Sequence, residues 1–151
     1  MRPPRRSGIG DEGSAALEFI AVGVILLVPL VYLVITLGAI QEQTLGAEAA
    51  ARHVARVIAR APDARTAADR ADDVLAGIID EYGLDADTVD LALTCRPATA
   101  ECPVSGATII VTVAAEVRLP LVPDAFGLDR STAIPVRAEA VQKVSRLWGA
   151  G

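Results

Sequence analysis

The chain is short of the residues that chemistry uses. Among 151 residues there is one histidine, and no glycine-rich phosphate loop. His53 stands beside Arg52 and Arg56 with no motif supplying a nucleophile or carboxylate partner, and a solvated helix face accounts for it. Ser14, Ser105, Ser131 and Ser145 lack a nucleophile-elbow context. Gly8, Gly10 and Gly13 lead into an apolar run rather than a strand–loop–helix unit, so they read as no phosphate cradle. These absences point away from an enzyme and from a bound cofactor. Positive charge is scarce too. The formal net charge is −5, and the first forty residues balance three basic against three acidic side chains. The acidic excess therefore belongs to the remainder, which argues against nucleic acid as a partner.

Cysteine is limited to Cys95 and Cys102, which flank the polar segment RPATAE. Six intervening residues and a distant histidine do not make a metal site. In an exported domain an even cysteine count favours a disulfide. Closing so short a loop stabilises the fold by about 2.5 kcal/mol on a chain-entropy basis, less any strain.

Charge is absent from one long stretch. Phe19 to Ile40 is 22 residues with no ionisable side chain except Tyr32. As a helix it spans about 33 Å, the thickness of a bilayer's hydrocarbon core. Arg2, Arg5 and Arg6 precede this span, and no Lys or Arg follows it until Arg52. The positive-inside rule then puts the N-terminus in the cytoplasm and the C-terminal hundred or so residues outside. The run is too long for the apolar core of an ordinary signal peptide. The small-residue site at Leu37–Ala39 is poor, and Arg5–Arg6 is only a weak twin-arginine signal. The expected organisation is a cytoplasmic leader (1–13), a transmembrane helix (14–40), an extracytoplasmic helical region (41–83) and an extracytoplasmic sheet domain (84–151).

No proline interrupts the chain between Pro29 and Pro62, so one helix of roughly 70 Å is expected from Ser14 to Arg60. Beyond the span Ala47, Ala50, Ala51, Val54, Ile58 and Ala61 recur at three- and four-residue steps, opposite Glu48, Arg52, Arg56 and Arg60. Pro29 removes one backbone hydrogen bond from the membrane half. A second helix follows APDA, with Ala67, Ala71, Val74, Leu75, Ile78 and Tyr82 on one face. Thr66 and Asp69 are read as its capping pair, Gly77 as a weak point and Gly83 as its end. From Thr88 the period changes to two. Val89, Leu91, Leu93 and Cys95 form one alternating set, Ile109 to Leu119 a second, and Ile134, Val136, Ala138 and Ala140 a third. Three antiparallel strands are predicted, the third at an edge because of Pro135. Leu121, Val122, Phe126 and Leu128 in the intervening loop are expected to fold onto the sheet. The amphipathic half of the long helix is the sheet's expected partner, although the pattern also admits a hairpin of the two extracytoplasmic helices. The fold class is α+β.

Glu18 is the anomaly, an acid at the edge of the apolar run. A carboxylate costs roughly 2.5–3.5 kcal/mol at a bilayer's centre and less near its surface. No Lys or Arg stands three or four residues away to pair with it. Here GSAALEF resembles the processing site of type IV pilin-like proteins, a Gly followed by four residues and a Glu at the start of a hydrophobic helix. More narrowly, GSAALEFIAVGVILLVPLVYLVI resembles the TadE-like family of minor pseudopilins from tight-adherence (Flp-type) pilus systems. The resemblance is specific from Gly13 to about Pro29; beyond that it is one of architecture, a pilin-like α+β layout. It implies that a prepilin peptidase cuts between Gly13 and Ser14, and that the new α-amino group, or a neighbour's, neutralises Glu18. It also implies other pilins, the assembly platform and membrane lipid as partners, in the cytoplasmic membrane or a surface pilus. Glu12 departs from the basic residue expected before the cut. Phe19 follows Glu18 where major Flp pilins typically carry Tyr, and the chain is longer than theirs, which suits a minor subunit. The alternative is an uncleaved single-pass protein with an exported partner-binding domain.

Overall fold

The computed structural model describes residues 11–98, 101–118 and 133–149, with side chains described from residue 15 onward. The element order is α1 (Asp11–Arg60), α2 (Ala64–Tyr82), β1 (Asp90–Arg96), β2 (Thr108–Val117) and β3 (Ile134–Lys143). This is the α+β arrangement expected. The chain divides into two compact units, Met1–Leu37 and Gly38–Gly151, and α1 contributes to both.

In the first unit the helix is apolar all round. Leu17, Phe19, Ile25, Leu26, Leu33 and Val34 are all exposed, Phe19 to 80%. Its side chains are aliphatic helix formers, and the single proline, Pro29, lies inside the helix. A helix apolar on every side with no protein covering it suits hydrocarbon rather than water. It is the one helix, among the described residues, long and apolar enough to cross a membrane.

The second unit carries the core. From α1 it takes Ala47, Ala50, Ala51, Val54, Ala55, Ile58 and Ala59, from α2 Ala67, Ala71 and Ile78, and from the sheet Ile109, Val111, Val113, Ala115, Val117, Val136 and Ala138. The strands form a meander in the order β1-β2-β3, both pairings antiparallel. Register puts Leu93, Val111 and Ala140 in one row and Leu91, Val113 and Ala138 in the next. Because paired residues share a face, the alternating apolar sets form a single buried surface. Among the described residues β3 pairs only with β2, so Pro135 sits on an edge strand as expected. Leu119 and the loop residues Leu121, Val122, Phe126 and Leu128 lie outside the described residues.

Two local expectations are corrected. The cap of α2 is Asp63, not the Thr66–Asp69 pair. Its backbone is extended, and its carboxylate accepts from the Thr66 N–H at 2.8 Å and from Thr66 Oγ1 at 2.9 Å. The helix begins at Ala64, so Thr66 is the third helical residue, whose amide an N-cap side chain reaches. β1 starts at Asp90 rather than Thr88. Asp85 holds the preceding turn, where its carbonyl accepts from the Thr88 and Val89 amides and its Oδ1 from the Asp87 amide at 3.1 Å. That turn takes Thr88 out of the ladder although the alternation continues through it. Gly83 ends α2 as predicted, in the left-handed conformation (φ 60°), donating to the Ile79 carbonyl.

The helices approach closely at Gly46. A Cβ placed there would lie 2.7 Å from Tyr82 Cβ and 2.9 Å from its Cγ. After β3 the chain returns to the end of α1. The Ser145 amide donates to the Ala59 carbonyl at 3.1 Å and the Gly149 amide to the Pro62 carbonyl at 2.8 Å. Carbonyls at the close of a helix lack intrahelical donors, and this terminal segment supplies them.

Candidate functional site

The candidate site is the N-terminal end of α1. Gly13 and Ser14 fall within the first turn of the helix, which begins at Asp11. Glu18 lies one helical turn beyond Ser14 on the same side, since four residues advance a helix by about 400°. Its side chain is exposed, as is that of Phe19. Among the described residues Glu18 has no hydrogen bond or ion pair, unlike Glu48, paired with Arg52 at 3.1 Å, and Asp85, paired with Arg118 at 2.7 Å. A carboxylate in this position is open to a cation from elsewhere. Gly13, Ser14 and Glu18 all lie on α1, whereas the expected helix began only at Ser14.

The cysteines are joined. Cys95 and Cys102 form a disulfide with an S–S distance of 2.07 Å and a Cα–Cα distance of 5.8 Å. It staples the end of β1 to the segment leading into β2, and Cys95 is itself part of the core. Peptide bonds Arg96–Pro97 and Cys102–Pro103 in this connection are cis.

His53 is exposed on α1. Ser105 Oγ donates to the Arg146 carbonyl at 2.8 Å, and Ser145 Oγ accepts from the Leu147 amide at 3.1 Å, so both hydroxyls tie down the C-terminal segment. Ser131 and the side chain of Ser14 lie outside the description. No group of three or more His, Cys, Asp or Glu able to hold a metal occurs among the described residues. An open groove between α2 and β1 is lined by Ile58, Ala67, Ala71, Leu91, Leu93 and Pro103, with Asp72 its charged member. The Asp63 carboxyl is held below the usual range by the Thr66 amide first and the Thr66 hydroxyl second.

Comparison with protein families, with curated proteins and with solved structures finds no match to this chain.

Proposed function

We propose that the chain is a minor pilin or pseudopilin of the TadE-like kind, serving the biogenesis of a Tad/Flp-type pilus or a related secretion apparatus. It enters the cytoplasmic membrane by α1, and a prepilin peptidase cuts it between Gly13 and Ser14. The observation that carries this reading is the placement of Glu18. It is the fifth residue after Gly13, exposed, without a partner on its own helix, at the start of an apolar helix long enough to span a bilayer. Cleavage creates an α-amino group one turn away, or on a neighbouring subunit, and that cation offsets the cost of a carboxylate at the membrane edge. The disulfide and the sheet form the exported part, which contacts other pilins or the assembly platform.

One observation favours the second reading, an uncleaved single-pass protein. Gly13 and Ser14 are already helical, and Glu12 rather than a basic residue precedes them. A peptidase must unwind that turn to reach the bond. N-terminal sequencing or intact mass of the protein from its native membrane decides between them. A chain starting at Ser14 is expected, and an intact Met1 or Arg2 beside an active prepilin peptidase overturns the processing claim. A Glu18→Ala variant is expected to insert normally and to lose pilus formation; normal piliation would make the acid incidental.

A further inference from the structure

A disulfide offers two sulfurs to an incoming thiol, and the fold places the two of the Cys95–Cys102 bridge differently. Cys95 is 9% exposed and belongs to the core, and its register partner on β2 is Ile109, which is fully buried. Paired residues share a face, so the Ile109 side chain stands beside Cys95 on the core side of the sheet. Cys102 lies outside the strands and is partly exposed. With Pro103 it lines the open groove between α2 and β1. The α2 wall of that groove includes Ala64, Ala67, Ala68 and Ala71, small side chains that leave the approach open. An attacking thiolate must reach the sulfur it bonds, so access decides which of the two is struck. The groove gives access to Cys102, and the core closes off Cys95.

We propose that Cys102 is the exchange sulfur of this protein. Through it a small thiol opens the bridge and a small disulfide remakes it, with Cys95 as the resolving partner. In opening, the small thiolate bonds to Cys102 Sγ and the Cys95–Cys102 bond breaks. The electron pair of that bond leaves with Cys95 Sγ, which is reduced and takes the proton that the attacker gave up. The attacking sulfur is oxidised into the mixed disulfide. In closing, the Cys102 thiolate attacks a small disulfide and expels one of its thiolates. Cys95 then attacks Cys102 Sγ and expels the other. Burial among apolar side chains disfavours a thiolate at Cys95, so the released sulfur stays protonated in the core. It is seven residues from Cys102 and remains at hand to close the bridge again. None of this depends on the reading of α1 as a membrane span.

The test uses the full-length chain in detergent micelles, with circular dichroism reporting the fold. Cys95→Val leaves Cys102 as the sole thiol, and Cys102→Ser leaves Cys95. Each variant is reacted with dithiodipyridine, a small neutral disulfide. Cys102 is expected to react at least about tenfold faster than Cys95 in native buffer, and the two to react alike in urea. Equal native rates in folded variants, or a faster Cys95, overturn the assignment. The wild-type bridge supplies a second measurement that does not depend on either variant folding. Brief exposure to β-mercaptoethanol, an acid quench and peptide mass mapping are expected to find the adduct on Cys102 and a free thiol at Cys95. An adduct on Cys95, on both alike, or on neither while the bridge opens overturns the proposal.

Discussion

At the scale of single residues, two glycines in the helices have opposite work. Gly46 meets Tyr82 so closely that any added Cβ collides with the Tyr82 Cβ and Cγ, which cannot swing aside as a flexible tip would. Gly77 in α2 is exposed and has open space where its Cβ would be. Gly46→Ala is therefore expected to destabilise the domain by about 1–3 kcal/mol, and Gly77→Ala to stabilise it by about 0.5–1 kcal/mol. Thermal unfolding of the two variants checks the pair, and equal signs would refute the close approach. Only one of these roles was legible beforehand. Gly77 interrupts a helical pattern, which a sequence displays. Gly46 is small because of a residue 36 positions away, and no local pattern carries that information. The candidate site could be named from the sequence for the opposite reason: Gly13, Ser14 and Glu18 are singled out by spacing alone. The helicity of the bond between Gly13 and Ser14 was not legible, because the expected helix began only at Ser14.

At the scale of elements, the strands and the long helix were readable because each repeats its apolar positions at a fixed period. The buried arc of α1 was underestimated. Ala55 and Ala59 are buried beside the expected stripe, since both α2 and the sheet contribute to the same core as α1. Caps and turns were harder, because one hydrogen bond decides them. Asp63 shows what such a bond does. Its carboxyl titrates below its ordinary value, so the capped state gains stability above the ordinary carboxylate range and loses it as pH falls through the lowered value. The melting temperature of the wild type is expected to drop more across that acidic window than that of Asp63→Asn, whose side chain caps without titrating. Parallel pH profiles for both proteins would contradict this. The Cys95–Cys102 staple makes a larger demand. Replacing both cysteines by serine is expected to cost about 2.5 kcal/mol, lowered by any strain the bridge imposes, and denaturant titration of oxidised, reduced and substituted protein measures it.

At the scale of the whole molecule, the chain combines two solvents' worth of design. Among the described residues, the core of the second unit begins at Ala47, with Ile40 the earliest residue packed against it. The first unit places Leu17 through Leu37 with their apolar side chains uncovered. Separating the two is therefore expected to yield opposite behaviours. A fragment from Gly38 to Gly151, exported to an oxidising compartment, is expected to be soluble, disulfide-bonded and cooperative in its unfolding. The full chain is expected to stay with membranes through alkaline extraction. The expected direction of insertion rests on Arg2, Arg5 and Arg6 on one flank against Glu42 and Glu48 on the other, where Arg52 is the first cation. An alkaline phosphatase fused after Gly151 should be active in a bacterial host, and one fused ahead of the span inactive. Moving the bias tests the cause rather than the outcome. Replacing the three arginines by serine while adding lysines at Gln41 and Gln43 is expected to lower the activity of the C-terminal fusion several-fold. If that fusion keeps its activity, charge does not set the orientation, and the leader before Gly13 must direct it by other means.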